Sequence, residues 1–280
     1  AVLLGQRHSC PVVLASATPS LETWANVARG RYQELRLPVR ATPKPVPEVQ
    51  LVNMADVEPV DGQRPVLAPP VVHAIRQTLD SGGQVIVLYN RRGYATMVQC
   101  TSCGGTWECP NCGITMTLHR RAQVVACHYC GLKRSYQEDC PSCGSCTLEE
   151  LGKGTERIEE ALSHAFPGVP MARMDSDTTA VRGSHHRILQ AFREGKTRIL
   201  VGTQIVAKGH DFPGVQTAVV ISADHGLRIL DFRSSERTFS LLLQLAGRAG
   251  RGEVAGQVFV QTYNPEHYVL AQMGTPDAFY

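Results

Sequence analysis

Residues 84–103 read QVIVLYNRRGYATMVQCTSC. The opening six residues are of the buried parallel-strand type, an apolar and β-branched run with little polar interruption. The closing four are the first Cys-x-x-Cys pair of a cysteine cluster. A strand thus leads through a basic turn into a sequence of metal-binding character, and the architecture follows from what lies on either side of that junction.

Upstream, Val71 to Leu79 has helical spacing and Gly82 and Gly83 stop it. Downstream of the cysteines, the pattern predicts a helix near Thr155 to Ala165, a strand near Val169 to Met174, a helix near Ser184 to Glu194 and a strand over Thr197 to Gly202. A strand near Gln216 to Ser222, a helix over Ser234 to Arg248, a strand over Gln257 to Thr262 and a last helix after Pro265 complete it. Strands alternating with helices of this length imply an α/β fold with a parallel sheet covered on both faces. The cluster is then an insertion, tolerable if its two ends leave the sheet close together.

At the N-terminal side, Pro11 to Pro19 (PVVLASATP) is expected to form a strand and tight loop. A helix over Ser20 to Arg29 follows, with Leu21, Trp24 and Val27 at helical spacing. Residues 37–70 carry Pro38, Pro43, Pro45, Pro47, Pro59, Pro65, Pro69 and Pro70, which deny backbone donors, so an extended surface connector is expected.

The 280 residues hold 28 Lys and Arg against 25 Asp and Glu, a net charge of +3, so any nucleic-acid contact must come from local patches. No apolar run reaches membrane-spanning length and the N-terminus lacks signal-peptide character, which points to a cytoplasmic protein with no membrane partner. In a reducing compartment ten cysteines imply metal rather than disulfides, and nine of them fall between Cys100 and Cys146.

Eight of those nine form the pairs Cys100 and Cys103, Cys109 and Cys112, Cys127 and Cys130, and Cys140 and Cys143, enough thiolates for two closed tetrahedral sites. Gly104, Gly113, Gly131 and Gly144 follow the pairs, as a knuckle turn that aims amides at sulfur requires. Of three possible pairings, spacing favours an inner site (Cys109, Cys112, Cys127, Cys130) nested in an outer one (Cys100, Cys103, Cys140, Cys143). Closed tetrathiolate sites are usually structural zinc, so two Zn2+ are expected, with iron the alternative and no metal catalysis. Cys146, His119 and His128 are then spare or supporting residues, and Cys10 is expected to be a small buried hydrophobe.

Between Gly202 and Val215 the chain reads GTQIVAKGHDFPGV, and between Gln244 and Gly252 it reads QLAGRAGRG. These resemble motifs V and VI of superfamily 2 helicases. Phosphoryl transfer is accelerated mainly by positioned charge, so the resemblance makes Gln244, Arg248 and Arg251 the candidate catalytic residues, with Arg251 the arginine finger. It places Lys208, Gly209 and Asp211 at the nucleotide, and Thr203 and Gln204 on DNA phosphates. Ser16 to Thr18 resembles motif III, which couples hydrolysis to DNA grip, although the same residues would also cap the following helix. Asn90 to Tyr94 (NRRGY) fits motif IV, with Arg91 and Arg92 as DNA contacts or merely solvated cations.

SATPSLE, NRRGYA, the four Cys-x-x-Cys pairs, GKGTERIEE, GTQIVAKGHDFPGV, DFRSSER and QLAGRAGRG together resemble the PriA family of primosomal replication-restart helicases, over roughly residues 11–267. The resemblance implies a RecA-like, parallel-sheet helicase C-terminal lobe over residues 71–98 and 148–263. An inserted two-zinc domain is expected at 99–147, a remnant of the first lobe at 1–36, an interlobe connector at 37–70 and the start of a further region at 264–280. It implies a monomeric, DNA-dependent ATPase that unwinds 3′-to-5′ and reloads the replicative helicase at stalled forks. The implied partners are single-stranded and forked DNA, single-stranded DNA-binding protein and primosome or helicase-loading proteins.

Trp107, Tyr129 and Tyr136, among His119, Arg120, Arg121, Lys133 and Arg134, would either stack on bases or fill the small zinc core. Asp224, Asp231, Phe232, Arg233 and Glu236 would either orient the motif VI helix through charge or lie solvated. No GxxxxGK[ST] occurs, the near miss at Gly152 to Thr155 lacks the spacing, and no DExH precedes Ser16. ATP and Mg2+ are therefore expected to bind mainly through a first lobe outside this chain, which alone would bind zinc without hydrolysing ATP. The competing readings are a non-enzymatic zinc scaffold for single-stranded DNA or primosome partners, and a zinc-bearing DNA-uptake motor, against which DFRSSER argues.

Overall fold

The computed structural model describes residues 1–37, 47–60, 64–89, 97–145, 148–151, 154–174, 183–203, 212–250 and 254–280. Helices are α1 (Val2–Arg7), α2 (Leu21–Ala28), α3 (Pro69–Asp80), α4 (Gly154–Ala165), α5 (Ser184–Arg193), α6 (Ala223–Leu227), α7 (Ser234–Ala246) and α8 (Tyr268–Ala271). Strands are β1 (Glu48–Asn53), β2 (Gln84–Tyr89), β3 (Met97–Cys100), β4 (Thr117–His119), β5 (Val124–Ala126), β6 (Lys133–Ser135), β7 (Leu148–Leu151), β8 (Met171–Met174), β9 (Ile199–Gly202), β10 (Val215–Ile221) and β11 (Gln257–Thr262).

Six strands form one sheet in the order β1-β11-β10-β2-β9-β8, and every neighbouring pair in it is parallel. The run QVIVLY becomes β2, fully buried between β10 and β9. Successive side chains of a strand point to opposite faces. Ile86 and Leu88 accordingly join Phe192 of α5, Leu241, Leu242 and Leu245 of α7 and Leu270 of α8. Val85, Val87 and Tyr89 pack on the other face with Val71 and Ile75 of α3 and Ile158 and Leu162 of α4. A strand covered on both sides has no reason to alternate apolar with polar residues, which is why the sequence there is continuously apolar.

The helix ends follow local chemistry. Pro69 and Pro70 occupy the first turn of α3, where a missing N–H costs nothing, and Gly82 at φ +83° ends it as its amide and that of Gly83 return to Leu79 and Thr78. Asp231 closes the turn that leads into α7, its side chain accepting the Arg233 amide at 2.8 Å while the Ser234 amide meets its carbonyl.

Three expectations are corrected. Pro11 to Pro19 is not a strand, and Val13 is 82 % exposed, because no strand among the described residues lies alongside to receive its hydrogen bonds. Cys10, in the same uncovered stretch, is exposed rather than buried. The proline-rich segment is not only a connector: between its prolines, β1 pairs with β11 from Glu48 to Asn53 and forms an edge of the sheet. The alternation Val49, Leu51 was too short beside so many breakers to announce a strand, and the open edge of β11 supplied the partner.

The cysteine insertion leaves and rejoins the sheet on a two-stranded stem, β3 antiparallel to β7, with Met97 opposite Leu151 and Cys100 opposite Leu148. Pairing holds the two ends together, the condition under which an insertion does not disturb its host. Beyond the stem, β4, β5 and β6 form a small antiparallel sheet over Trp107, Met116, Leu118 and Val125.

Phe192 is wholly buried and meets Phe212 edge-on with ring centroids 4.9 Å apart. Phe192→Ala is expected to lower the stability of the lobe by about 3–5 kcal/mol, read as a shifted denaturation midpoint.

Candidate metal centres and motor face

The eight cysteines form two four-sulfur sets, in each of which all sulfurs lie within 4.8 Å of one another: Cys100, Cys103, Cys140 and Cys143, and Cys109, Cys112, Cys127 and Cys130. This is the nested pairing expected from spacing. One turn, used four times, builds both sets. The amides of Gly104, Gly113, Gly131 and Gly144 donate to the carbonyls of Cys100, Cys109, Cys127 and Cys140 at 2.8–3.0 Å, and the amides of those cysteines donate to Gly105, Ile114, Leu132 and Ser145 at 2.8 Å. All four glycines have φ between +65° and +76°, a region other residues enter only with strain. The turn leaves further amides aimed at sulfur, Ser102 to Cys100 at 3.3 Å, Gly105 to Cys103 at 3.3 Å and Ser142 to Cys140 at 3.4 Å.

The sulfurs of Cys100 and Cys143, Cys103 and Cys140, and Cys109 and Cys130 stand 3.6–3.7 Å apart. Burial pushes the Cys103 thiol up to about 12, whereas amide hydrogen bonds overcome burial to bring Cys100 down to about 7. The Leu132 amide likewise brings Cys130 down to about 7, and Cys112, hydrogen-bonded to Cys130, rises to about 12. Four thiolates this close repel one another unless a cation sits among them. The donor set, all sulfur, closed and amide-supported, fits a structural Zn2+ in each site.

His119 and His128 are exposed, their rings 5.5 Å apart, and neither belongs to a sulfur set. Cys146 lies outside the described residues. Trp107 and Tyr136 pack together at 5.3 Å in the small core, which answers the aromatic question for these two. Tyr129 is 64 % exposed, with Arg120, Arg121, Lys133 and Arg134 exposed on the same small sheet and its turns.

Of the motor candidates, Arg251, Lys208, Gly209, Asp211, Gln204, Arg91 and Arg92 lie outside the described residues. Thr203 directly follows β9, its amide 3.4 Å from the Met174 carbonyl at the carboxyl end of β8. Gln244 lies in the last turn of α7, which ends two residues short of the expected helix, and Arg248 in the turn just past that end; both are half-buried. Just beyond them the Gly250 amide donates to Val215, the first residue of β10, at 3.0 Å. A Cβ on Gly250 would sit 2.3 Å from the Gly256 amide nitrogen, so two glycine backbones cross here in contact.

Gln244 reaches Thr18 of the SAT stretch, Nε2 to Oγ1 3.4 Å. The same face of α7 holds the helix after SAT. Glu236, largely buried, accepts the Leu21 amide at 3.1 Å, and Arg233 pairs with Glu22. Ser20, rather than Ser16 to Thr18, caps that helix by accepting the Thr23 amide at 3.2 Å. The charges of DFRSSER therefore do orient α7 against a neighbour. Phe232 is the exception, 87 % exposed, and Asp224 acts elsewhere, buried and accepting from Thr262 and Tyr263.

Sequence reading missed Arg64 in the connector and Arg228 and Tyr263 in the lobe, which bond to the cysteine insertion. It also passed over Gly195-Lys196-Thr197, which has the letters of a phosphate loop's end. The structure puts Gly195 at φ +74° after the C-terminus of α5, where outward carbonyls repel phosphate.

Two families match the chain: the helicase conserved C-terminal domain over residues 149–253, and the PriA DNA helicase Cys-rich region domain over residues 109–134. The second spans the four inner cysteines. The Replication restart protein PriA of Bacillus subtilis is 45 % identical over 277 residues, 99 % of this chain and 34 % of its own length. The chain belongs to the PriA family. Its relatives of the same name in Chlamydia pneumoniae (40 % identical, 100 % of this chain, 38 % of theirs) and Haemophilus influenzae (38 %, 98 % and 37 %) match as fully. The chain thus spans about a third of the length of the family members it matches. Among solved structures, Saccharomyces cerevisiae Dbp5 bound to RNA and ADP BeF3 overlays at TM-score 0.45 and 14 % identity, covering 97 % of this chain and 52 % of that one, too loosely to add to the assignment.

Mass spectrometry of the native chain is expected to find two zinc ions, one per sulfur set. Replacing Cys127 and Cys130 by serine should leave one, held by the outer set; loss of both would mean the sites do not close independently.

Proposed function

We propose that this chain is the second motor lobe, with its zinc module, of an ATP-dependent 3′-to-5′ DNA helicase that acts in replication restart and primosome assembly at stalled forks. The observation that carries the reading is the match of almost the whole chain, lobe and cysteine cluster together, to replication restart proteins. Its domains are the lobe-1 end at 1–36, the connector at 37–70, lobe 2 at 71–98 and 148–263, the zinc insertion at 99–147, and 264–280 as the start of a further region.

In this reading Arg251 and Arg248 neutralise charge on the terminal phosphates, and Gln244 links the nucleotide side of α7 to Thr18. Thr203 and Gln204, with Arg91 and Arg92, hold DNA phosphates, while Lys208, Gly209 and Asp211 border the nucleotide. Mg2+ and most phosphate contacts belong to a first lobe, because these 280 residues hold neither a GxxxxGK[ST] loop nor a DExH sequence. The two zinc ions are structural.

A second reading rests on the exposed Tyr129 and the exposed Arg120, Arg121, Lys133 and Arg134 of the same module. An aromatic platform among positive charges suits stacked bases and phosphates, so the module would bind single-stranded DNA or partner proteins such as single-stranded DNA-binding protein or a helicase loader. The two readings separate in a longer family protein that carries both lobes. Arg251→Ala is expected to lower DNA-stimulated phosphate release by about 10³-fold, the scale of an arginine finger. Unchanged turnover there, with partner binding lost on cysteine substitution, would leave the scaffold reading alone. The 280-residue chain by itself is expected to release no phosphate above background with ATP, Mg2+ and single-stranded DNA.

A further inference from the structure

The four knuckle turns share one backbone geometry but not one environment. A Cβ added to Gly113, Gly131 or Gly144 would meet nothing within 4 Å, whereas at Gly104 it would stand 2.2 Å from the Cβ of Tyr263. The first knuckle of the outer site is therefore pressed against the residue that follows β11, and the other three have open space at the same position.

Around that contact the connector and the lobe donate hydrogen bonds to backbone carbonyls of the knuckle. Arg64, in the part of the connector that precedes α3, gives Nε to the Thr101 carbonyl at 2.5 Å and Nη2 to the Ser102 carbonyl at 3.1 Å. Its remaining nitrogen holds the Val57 carbonyl, tying the fork to the connector. Tyr263 gives its hydroxyl to the Thr101 carbonyl at 3.1 Å. Arg228, just after α6, gives Nη2 to the Gly104 carbonyl at 3.2 Å and Nη1 to the Thr106 hydroxyl, and lies 3.8 Å from Glu108. Tyr263 is itself set by buried Asp224, which accepts its amide at 2.9 Å.

A guanidinium fork reaching two successive carbonyls is a directional contact, strengthened by its charge and by partial exclusion of water. The Thr101, Ser102 and Gly104 carbonyls accept from these side chains, Gly104 also from Gln99 Nε2 at 3.2 Å, while the Ser102 and Gly105 amides face sulfur. Metal closure and docking thus use different backbone groups of one loop.

We propose that Arg64, Arg228 and Tyr263 are positioning residues that fix the outer zinc knuckle to the carboxyl edge of the sheet. The two-site module then moves with the lobe as one body instead of swinging on its two-stranded stem. The proposal concerns this chain's own geometry and stands whether or not the helicase reading does. It divides labour between the ions: the outer site supports the joint, and the inner site shapes the projecting end.

Trp24 and Trp107 are the two tryptophans, so Trp24→Phe leaves Trp107, in the core of the module, as the only indole. Time-resolved anisotropy of Trp107 in the zinc-loaded 280-residue chain then reports whether the module tumbles with the lobe. In Arg64→Ala/Arg228→Ala, two zinc ions per chain are expected to remain while a rotational component at least about twofold faster appears, as domain-scale motion is released. Arg228→Lys should restore part of the slow decay. Gly104→Ala and Gly144→Ala impose the same strain at positive φ, but only the first meets Tyr263, so only the first should free the module. The proposal is overturned if the double variant keeps both ions and the parental decay, if it loses the outer ion, or if the two glycine variants behave alike. Should the double variant fail to fold, Tyr263→Phe and the glycine pair decide by the same criteria.

Discussion

The structure depends on a sheet of six parallel strands that must be covered on both faces. A parallel sheet has no solvent-tolerant side, so each face requires its own layer of helices, and the sequence must keep returning to the same edge of the sheet to start the next strand. β2 sits in the middle of that constraint, with Ile86 and Leu88 committed to one layer and Val85, Val87 and Tyr89 to the other. Every other part of the molecule is placed by where a strand ends. The stem of the cysteine module follows β2 in the chain, Thr203 follows β9, Asp224 follows β10 and Tyr263 follows β11.

Within that frame the cysteine module solves a different problem. Its core of Trp107, Met116, Leu118 and Val125 is too small to hold three short strands unaided, and below some tens of residues apolar burial no longer offsets chain entropy. Eight thiols arranged as four copies of one turn supply the missing constraint once cations hold them together. The repetition also separates function along the module. One knuckle of the outer site meets the lobe, while Tyr129, beside a cysteine of the inner site, is exposed.

The long helix α7 is where separate stretches of the chain converge. Arg233 just before it and the largely buried Glu236 in its first turn meet Glu22 and the Leu21 amide, and its last turn presents Gln244 to Thr18. These contacts cross more than 200 positions of sequence, and each is weak or partly solvated. Their value lies in register. Together they set which turn of α7 faces the SAT stretch, and so where Arg248 stands.

Much of this was legible in the amino-acid sequence, because the signals are local. An apolar run of strand length, helical spacing ended by glycine, and Cys-x-x-Cys followed by glycine each report a conformation that a few residues dictate. The span of β2 and β11, both sulfur sets and the helix bearing Gln244 followed from them. What escaped was non-local. Glu48 to Asn53 is a strand only because β11 offers an unpaired edge, Pro11 to Pro19 is not one because nothing lies beside it, and Cys10 is exposed for the same reason. Arg64, Arg228 and Tyr263 stand in no motif, since a side chain that grips a carbonyl recognises backbone, which every residue has. The sequence by itself determined the layers and the two sulfur sets; only the tertiary structure decided how the module is seated, because that depends on which knuckle carbonyls the fold brings to Arg64, Arg228 and Tyr263.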